Sequence, residues 1–239
     1  KESMGKIKTI YCEKYTTETP TASMRKLGPV AHASERRGLS ELIEPKDYEI
    51  EEKLKTLHDP KYVDAFLEGI DPLARSQGWD WTPEIRDGVL AINRGQLTAA
   101  EIALEEGVAA NVAQGFHHAP YDHGSAFCTF NGLALVAQEH PDKKIFVLDC
   151  DAHGGNGTED FIERLPNLRQ ITINGCSYGC TTTNESVCVT LGSVADDFGP
   201  YLNALDLSMR LIDKWKPDLV IYQAGADPHI NDPLGSVEM

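Results

Sequence analysis

The stretch KKIFVLDCDAHGGNGT, residues 143–158, joins a short apolar run to Asp149, Asp151 and His153 at alternate positions and then breaks into glycine. Continuous Ile/Val-rich runs of this length suit a strand covered on both faces. On extended backbone, successive side chains point to opposite faces. The two carboxylates and the imidazole therefore project to one side, while Cys150 and Ala152 project to the other. Such a group at the end of a buried strand is costly unless something neutralises it. A metal ion does so.

The same kind of run recurs in LRQITIN, residues 168–174, and PDLVIYQAG, residues 217–225, each set off by a helical segment. That βαβ alternation predicts an α/β fold with three αβα layers and a mostly parallel central sheet. Toward the N-terminus, KIKTIYC at residues 6–12 reads as a strand, and a helical pattern runs through SERRGLSELI at residues 34–43. HDPKYVDAFLEG, residues 58–69, reads as a helix with Asp59 as N-cap, Pro60 in the first turn and Gly69 past the end. Thr82-Pro83 opens a further helix that takes in LTAAEIALEEG, and NGLALVAQEH reads as another.

The chain has 239 residues, 41% of them hydrophobic, with no shift in composition that divides it, so we read one domain over residues 1–239. Lys1-Glu2-Ser3 ahead of Met4 reads as an appended remnant. Twenty-two basic residues stand against 37 acids, a net charge of −15, and no basic cluster is visible. Direct nucleic-acid binding is thereby disfavoured, and cationic substrates are mildly favoured. No apolar stretch suggests a membrane span or a signal peptide, which points to a cytoplasmic protein. The six cysteines are scattered, as expected in a reducing compartment, and Cys176, Cys180 and Cys188 lack the paired spacing of a zinc ribbon.

Two further segments carry chemistry. IYQAGADP, residues 221–228, again ends an apolar run on a carboxylate, Asp227. In open α/β sheets, ligands bind beyond the carboxyl ends of the strands. Asp151, His153 and Asp227 can therefore converge if their strands are neighbours. Three O/N ligands with an open position are the pattern of a catalytic zinc, and Fe(II) is also compatible. Taken singly, each residue also fits a plainer reading, with Asp149 or Asp151 capping the glycine turn and His153 a satisfied loop histidine. The segment AQGFHHAPYDHGSAFCTFNG, residues 113–132, places His117 and His118 between two apolar elements, where a general acid/base role is credible.

Taken together, GFHHA, FCTFN, LDCDAHGGNGT and QAGADPHINDPLG resemble, in order and spacing, the zinc-dependent histone deacetylase superfamily, which includes acetoin-utilisation proteins and acetylpolyamine amidohydrolases. The resemblance runs from about residue 32 onward. It implies an arginase/deacetylase-like fold and a deacetylase acting on an acetyl-lysine-type or acetylpolyamine amide. Asp151, His153 and Asp227 would bind Zn2+. His118 would take the proton of an activated water and later protonate the leaving amine, with His117 its electrostatic partner. Asp149 and Asn156 match the acceptors that orient the two histidines, although Asn156 stands where other members have Asp. Potassium would lie near Asp149, Asp151, His153, Thr172 and Ile173. Phe127 would form one wall of the acyl-lysine channel, and Arg36 or Arg37 would line an inner cavity.

The pattern also departs from that family. Its oxyanion-stabilising tyrosine has no counterpart before Met239, which leads us to expect a domain lacking its C-terminal part, with Tyr178 and His229 the nearest substitutes. Ala126 replaces a glycine common in the channel wall. One rival reading is a catalytically impaired acyl-lysine-binding or scaffolding module, for which the missing tyrosine argues. Another is an arginase-like binuclear manganese ureohydrolase, disfavoured because positions 155 and 225 are glycine where a second metal needs carboxylates. Oligomeric state stays open, with a homo-oligomer among the readings.

Overall fold

A computed structural model describes residues 5–239, so the reading of Lys1-Glu2-Ser3 lies outside the described residues. Two compact units divide between Glu139 and His140.

In the first unit, β1 (Ile7–Ile10) pairs in parallel with β2 (Ser40–Ile43) and with β3 (Ala110–Asn111). Alternation along β1 gives each face a different partner. Ile10 packs with Ala99 and Ile102 of the long helix α5 (Pro83–Glu106). On the other face the Thr9 hydroxyl donates to Ser40 Oγ (3.0 Å), which also bonds Ser34 on α2 (Leu27–Arg36). The short α1 (Ala22–Arg25) precedes α2, and α3 (Ile50–Leu57), α4 (Pro60–Glu68) and α6 (Gly132–Glu139) complete the unit. The expected caps form: Asp59 accepts from the Lys61 amide, Thr82 from that of Ile85, and Gly69 closes α4 at φ 74°.

The helical reading of residues 34–43 needs correction. α2 stops at Arg36, Gly38 turns the chain at φ 72°, and after Leu39 the chain leaves as β2, because Ser-Glu-Leu-Ile can pair along all of β1. Arg36 and Arg37 are both exposed at this helix end, so neither lines an inner cavity.

The second unit is a parallel sheet in the order β6-β5-β4-β7, built from β4 (Ile145–Asp149), β5 (Leu168–Asn174), β6 (Ser186–Thr190) and β7 (Leu219–Gln223). Helix α8 (Gly199–Trp215) covers one face, where Tyr201 and Ala204 pack on Ile173, Cys150 and Ala152. Helix α7 (Asn156–Ile162) covers the other: Gln170 donates to Gly155 O just before it, and Ser186 to the Glu159 carboxylate within it. Three layers result. β6 was not legible in SVCVT, where Val alternates with small polar residues. β7 is not covered on both faces as expected, since Val220 is 39% and Tyr222 62% exposed. β7 ends the sheet, and only its Leu219–Ile221–Gln223 side is half-buried.

Among the described residues, no cysteine is joined in a disulfide. Among the described residues, no helix is long and apolar enough to cross a membrane.

Candidate functional site

Chain order fixes where this site forms. From β4 the sheet grows outward through β5 and β6, then the chain returns to place β7 on β4's other side. Such a reversal opens a crevice at the carboxyl ends of β4 and β7. Asp149 pairs with Gln223 across β4 and β7. Continued past the strand ends, that register sets Gly225 beside Asp151 and Asp227 beside His153.

Strand alternation accounts for less than the sequence suggested, because β4 stops at Asp149. Beyond it, side chains bond the backbone two residues on: Asp149 Oδ1 accepts from the Asp151 amide (3.1 Å) and Asp151 Oδ1 from that of His153 (3.0 Å). These Asx turns curl the chain while keeping the alternate residues on one side. A parallel bridge from His153 to Cys176 then fixes the end of the curl. The two aspartates thus cap the amides of Asp151 and His153, ahead of the glycine turn, and these bonds are what present His153.

Asp227 completes the group. Its Oδ1 accepts from the Ala152 amide at 2.9 Å, and its Oδ2 lies 2.9 Å from His153 Nδ1. Asp151 Oδ1 stands 3.3 Å from the same nitrogen. One ligand atom from each of the three residues falls within 4.8 Å of the others. Ligands at about 2.0–2.1 Å from a tetrahedral zinc stand roughly 3.3 Å apart, so the donor set and its spacing fit such an ion. Side-chain exposures of 16%, 24% and 15% for Asp151, His153 and Asp227 leave the group open on one side.

Electrostatics agree with that fit. Hydrogen bonds to Asp151 and then Asp227 raise the His153 pKa to about 10 against the opposing effect of burial. Burial raises the Asp227 carboxyl, and the neighbouring Asp151 carboxylate adds to the rise although His153 lowers it. A proton on Nδ1 thus holds two crowded carboxylates together, and a divalent cation is exchangeable for that proton.

Gly225, two residues before Asp227, was read only as a missing ligand. A Cβ there would lie 2.6 Å from both Cα and Oδ2 of Asp151 and 2.8 Å from Asp227 Oδ1. The site needs glycine because the two carboxylates close over it.

Of the remaining site residues in this unit, Asp149 and Thr172 are fully buried cross-strand partners, Ile173 follows on β5, and Asn156 opens α7. Tyr178, at φ 51°, sets its ring edge-on to His153 with centroids 6.0 Å apart. His229 is exposed and accepts from the Asn231 amide.

In the first unit, His117 and His118 are each 5% exposed with ring centroids 4.0 Å apart. Their turn follows Phe116 at φ 57°, with the Ala119 amide donating to Phe116 O. Ala126 and Phe127 also carry positive φ, 43° and 66°. That conformation is the reason glycine suits position 126. A residue the sequence did not single out, His58, is fully buried beneath this segment. Asn131 N–H donates to its Nε2, so Nδ1–H donates to Tyr121 O, both at 3.1 Å.

Comparison with known proteins gives a consistent result. A histone deacetylase domain model matches residues 19–239. An uncharacterized protein of Picosynechococcus is 33% identical over 195 residues, 78% of this chain and 64% of that protein. Histone deacetylase 2 of Arabidopsis thaliana is 31% identical over 156 residues, 61% of this chain and 40% of that one. The chain therefore spans less than two thirds of the length of either relative. The crystal structure of an acetylpolyamine aminohydrolase from Burkholderia pseudomallei superposes with a TM-score of 0.81 over 97% of this chain and 85% of that one, at 17% identity, a likeness of fold.

Proposed function

The chain belongs to the histone deacetylase domain family, and on that premise we propose that it is a metal-dependent deacetylase cleaving an acetyl-lysine-type or acetylpolyamine amide with water. The observation that carries this reading is the convergence of Asp151, His153 and Asp227 beyond the ends of β4 and β7.

Asp151, His153 and Asp227 would hold one divalent ion, zinc or Fe(II). When bound, that ion supplies a Lewis acid that polarises the amide carbonyl and acidifies water. His118 accepts the water's proton on its imidazole and returns it to the departing amine nitrogen. His117 stands beside it as its electrostatic partner, and Asp149 and Asn156 orient the pair, since an outer hydrogen bond sets tautomer and ring direction. The potassium ion that the family resemblance implies would lie near Asp149, Asp151, His153, Thr172 and Ile173. Phe127 forms a wall of the acyl channel. A net charge of −15 favours cationic substrates, which acetylated polyamines and basic peptides are.

The mononuclear reading is preferred to a binuclear manganese site because Gly225 has no room for the carboxylate a second ion needs. Release of acetate from a fluorogenic acetyl-lysine amide, measured with and without chelator, tests the proposal. Chelator-sensitive turnover that drops about 10²–10⁴-fold in His118→Ala is expected. Full turnover with chelator present, or in His118→Ala, would refute it, and binding without turnover would favour a scaffolding module.

A further inference from the structure

Phe127 is held in place in an unusual way. It and Ala126 are consecutive non-glycine residues with left-handed backbone, φ 66° and 43°. Such conformations persist only where the surroundings over-determine them, and they gather at functional sites. Here the surroundings are one short loop. The Phe127 amide donates to Gln77 O at 2.8 Å, and the Gly124 amide to Ser76 Oγ at 2.7 Å. Ser125 and Cys128 close the turn by exchanging backbone hydrogen bonds of 2.9 and 2.8 Å. The loop itself is tied by an Arg75–Asp80 ion pair at 2.7 Å. At its centre, Trp79 is 1% exposed and lies against the half-buried Phe127 ring, with centroids 5.6 Å apart and planes 12° from parallel. Gly78, at φ 97°, carries the loop past the ring, where even a Cβ would come no nearer than 3.8 Å.

We propose that Trp79 is a positioning residue for Phe127: stacking against its ring fixes the wall of the acyl channel and so sets how tightly the channel grips the substrate. The inference rests on the reading of Phe127 as that wall. Backbone hydrogen bonds fix where the Phe127 main chain lies, but they leave its side-chain rotation free, and the Trp79 indole is stacked against its ring. The indole Nε1 has no hydrogen-bond partner. What Trp79 contributes is therefore its ring surface, and phenylalanine should replace it.

The test is steady-state hydrolysis of acetyl-lysine amide and its butyryl analogue by the parent and by Trp79→Leu, Trp79→Phe and Phe127→Ala. A lost aromatic stack corresponds to about a three- to tenfold change in an equilibrium. Trp79→Leu is expected to raise KM for the acetyl substrate by that factor with kcat within twofold, and to raise butyryl turnover relative to acetyl. Trp79→Phe is expected to restore parental values. Melting temperatures show whether each variant is folded, and Trp79→Met, whose flexible side chain fills irregular gaps, replaces the leucine variant if that one is not. A raised KM in Phe127→Ala together with an unchanged KM in folded Trp79→Leu or Trp79→Met overturns the inference alone. A KM unchanged in Phe127→Ala overturns the wall reading, and this inference with it.

Discussion

His58 makes the first unit sensitive to acid, and the size of the effect follows from its surroundings. Burial lowers its pKa from 6.5 to about 4, against the opposing influence of the Tyr121 and Pro120 carbonyls. Its Nε2 accepts from the Asn131 amide, so an added proton would set two N–H groups against each other. The folded-state value lies below the unfolded one. The unfolded chain therefore takes up more protons in between, and stability is full above about pH 6.5 and is lost as pH falls toward 4. Linkage over that shift gives a loss of roughly 2 kcal/mol between pH 7 and pH 5. The perturbation is His58→Gln, which removes the titration and keeps a polar side chain. Urea unfolding at both pH values, for parent and variant, isolates the histidine from other titrating groups. We expect the variant to be less stable at pH 7 but to lose about 2 kcal/mol less on acidification. Equal losses in the two proteins would show that His58 is not held neutral.

Two further predictions concern the second unit. Because His153 without a cation holds its proton up to about pH 10, and a bound metal needs that nitrogen neutral, each ion that binds should displace one proton. Apparent zinc affinity should then rise about tenfold per pH unit from 7 to 9; a flat profile in titration calorimetry, with no dependence on buffer ionisation heat, would contradict it. Gly225→Ala would drive a methyl into Asp151 and Asp227, with contacts of 2.6 and 2.8 Å. We expect it to lose about 1–3 kcal/mol of stability and at least tenfold in metal affinity, read by urea unfolding and calorimetry; parental values in both would mean the carboxylates are not packed as described.

Much of the second unit was legible because its signals are local. The apolar runs of β4, β5 and β7 are too short and too Ile/Val-rich for helices; in the first unit, Asp59, Gly69 and Thr82 are likewise local signals, cap residues with fixed geometry. The three candidate ligands that the structure brings together could be named from the polar residues that end two such runs. What stayed hidden depends on pairing partners. β2 and β6 are strands because β1 and β5 lie beside them, and SELI or SVCVT alone carries no such instruction. His58 and Trp79 look like ordinary members of a helix start and a loop until burial shows what they touch. Gly225 could be seen as a missing carboxylate, but the crowding that forbids any side chain there appears only once β7 lies beside β4. Arg36 and Arg37 were misplaced because the helix carrying them ends early, which leaves both in solvent.

One ion held by Asp151, His153 and Asp227 is what the proposed chemistry requires. The direct measurement is metal reconstitution: chelator-stripped protein is titrated with Zn2+ while bound metal and acetate release are followed together, for the parent and for Asp227→Asn. Activity rising linearly to a plateau at one ion per chain, with the variant binding at least about 100-fold more weakly, is the predicted result. A plateau at two ions, or an Asp227→Asn protein that takes up zinc and turns over like the parent, would contradict it.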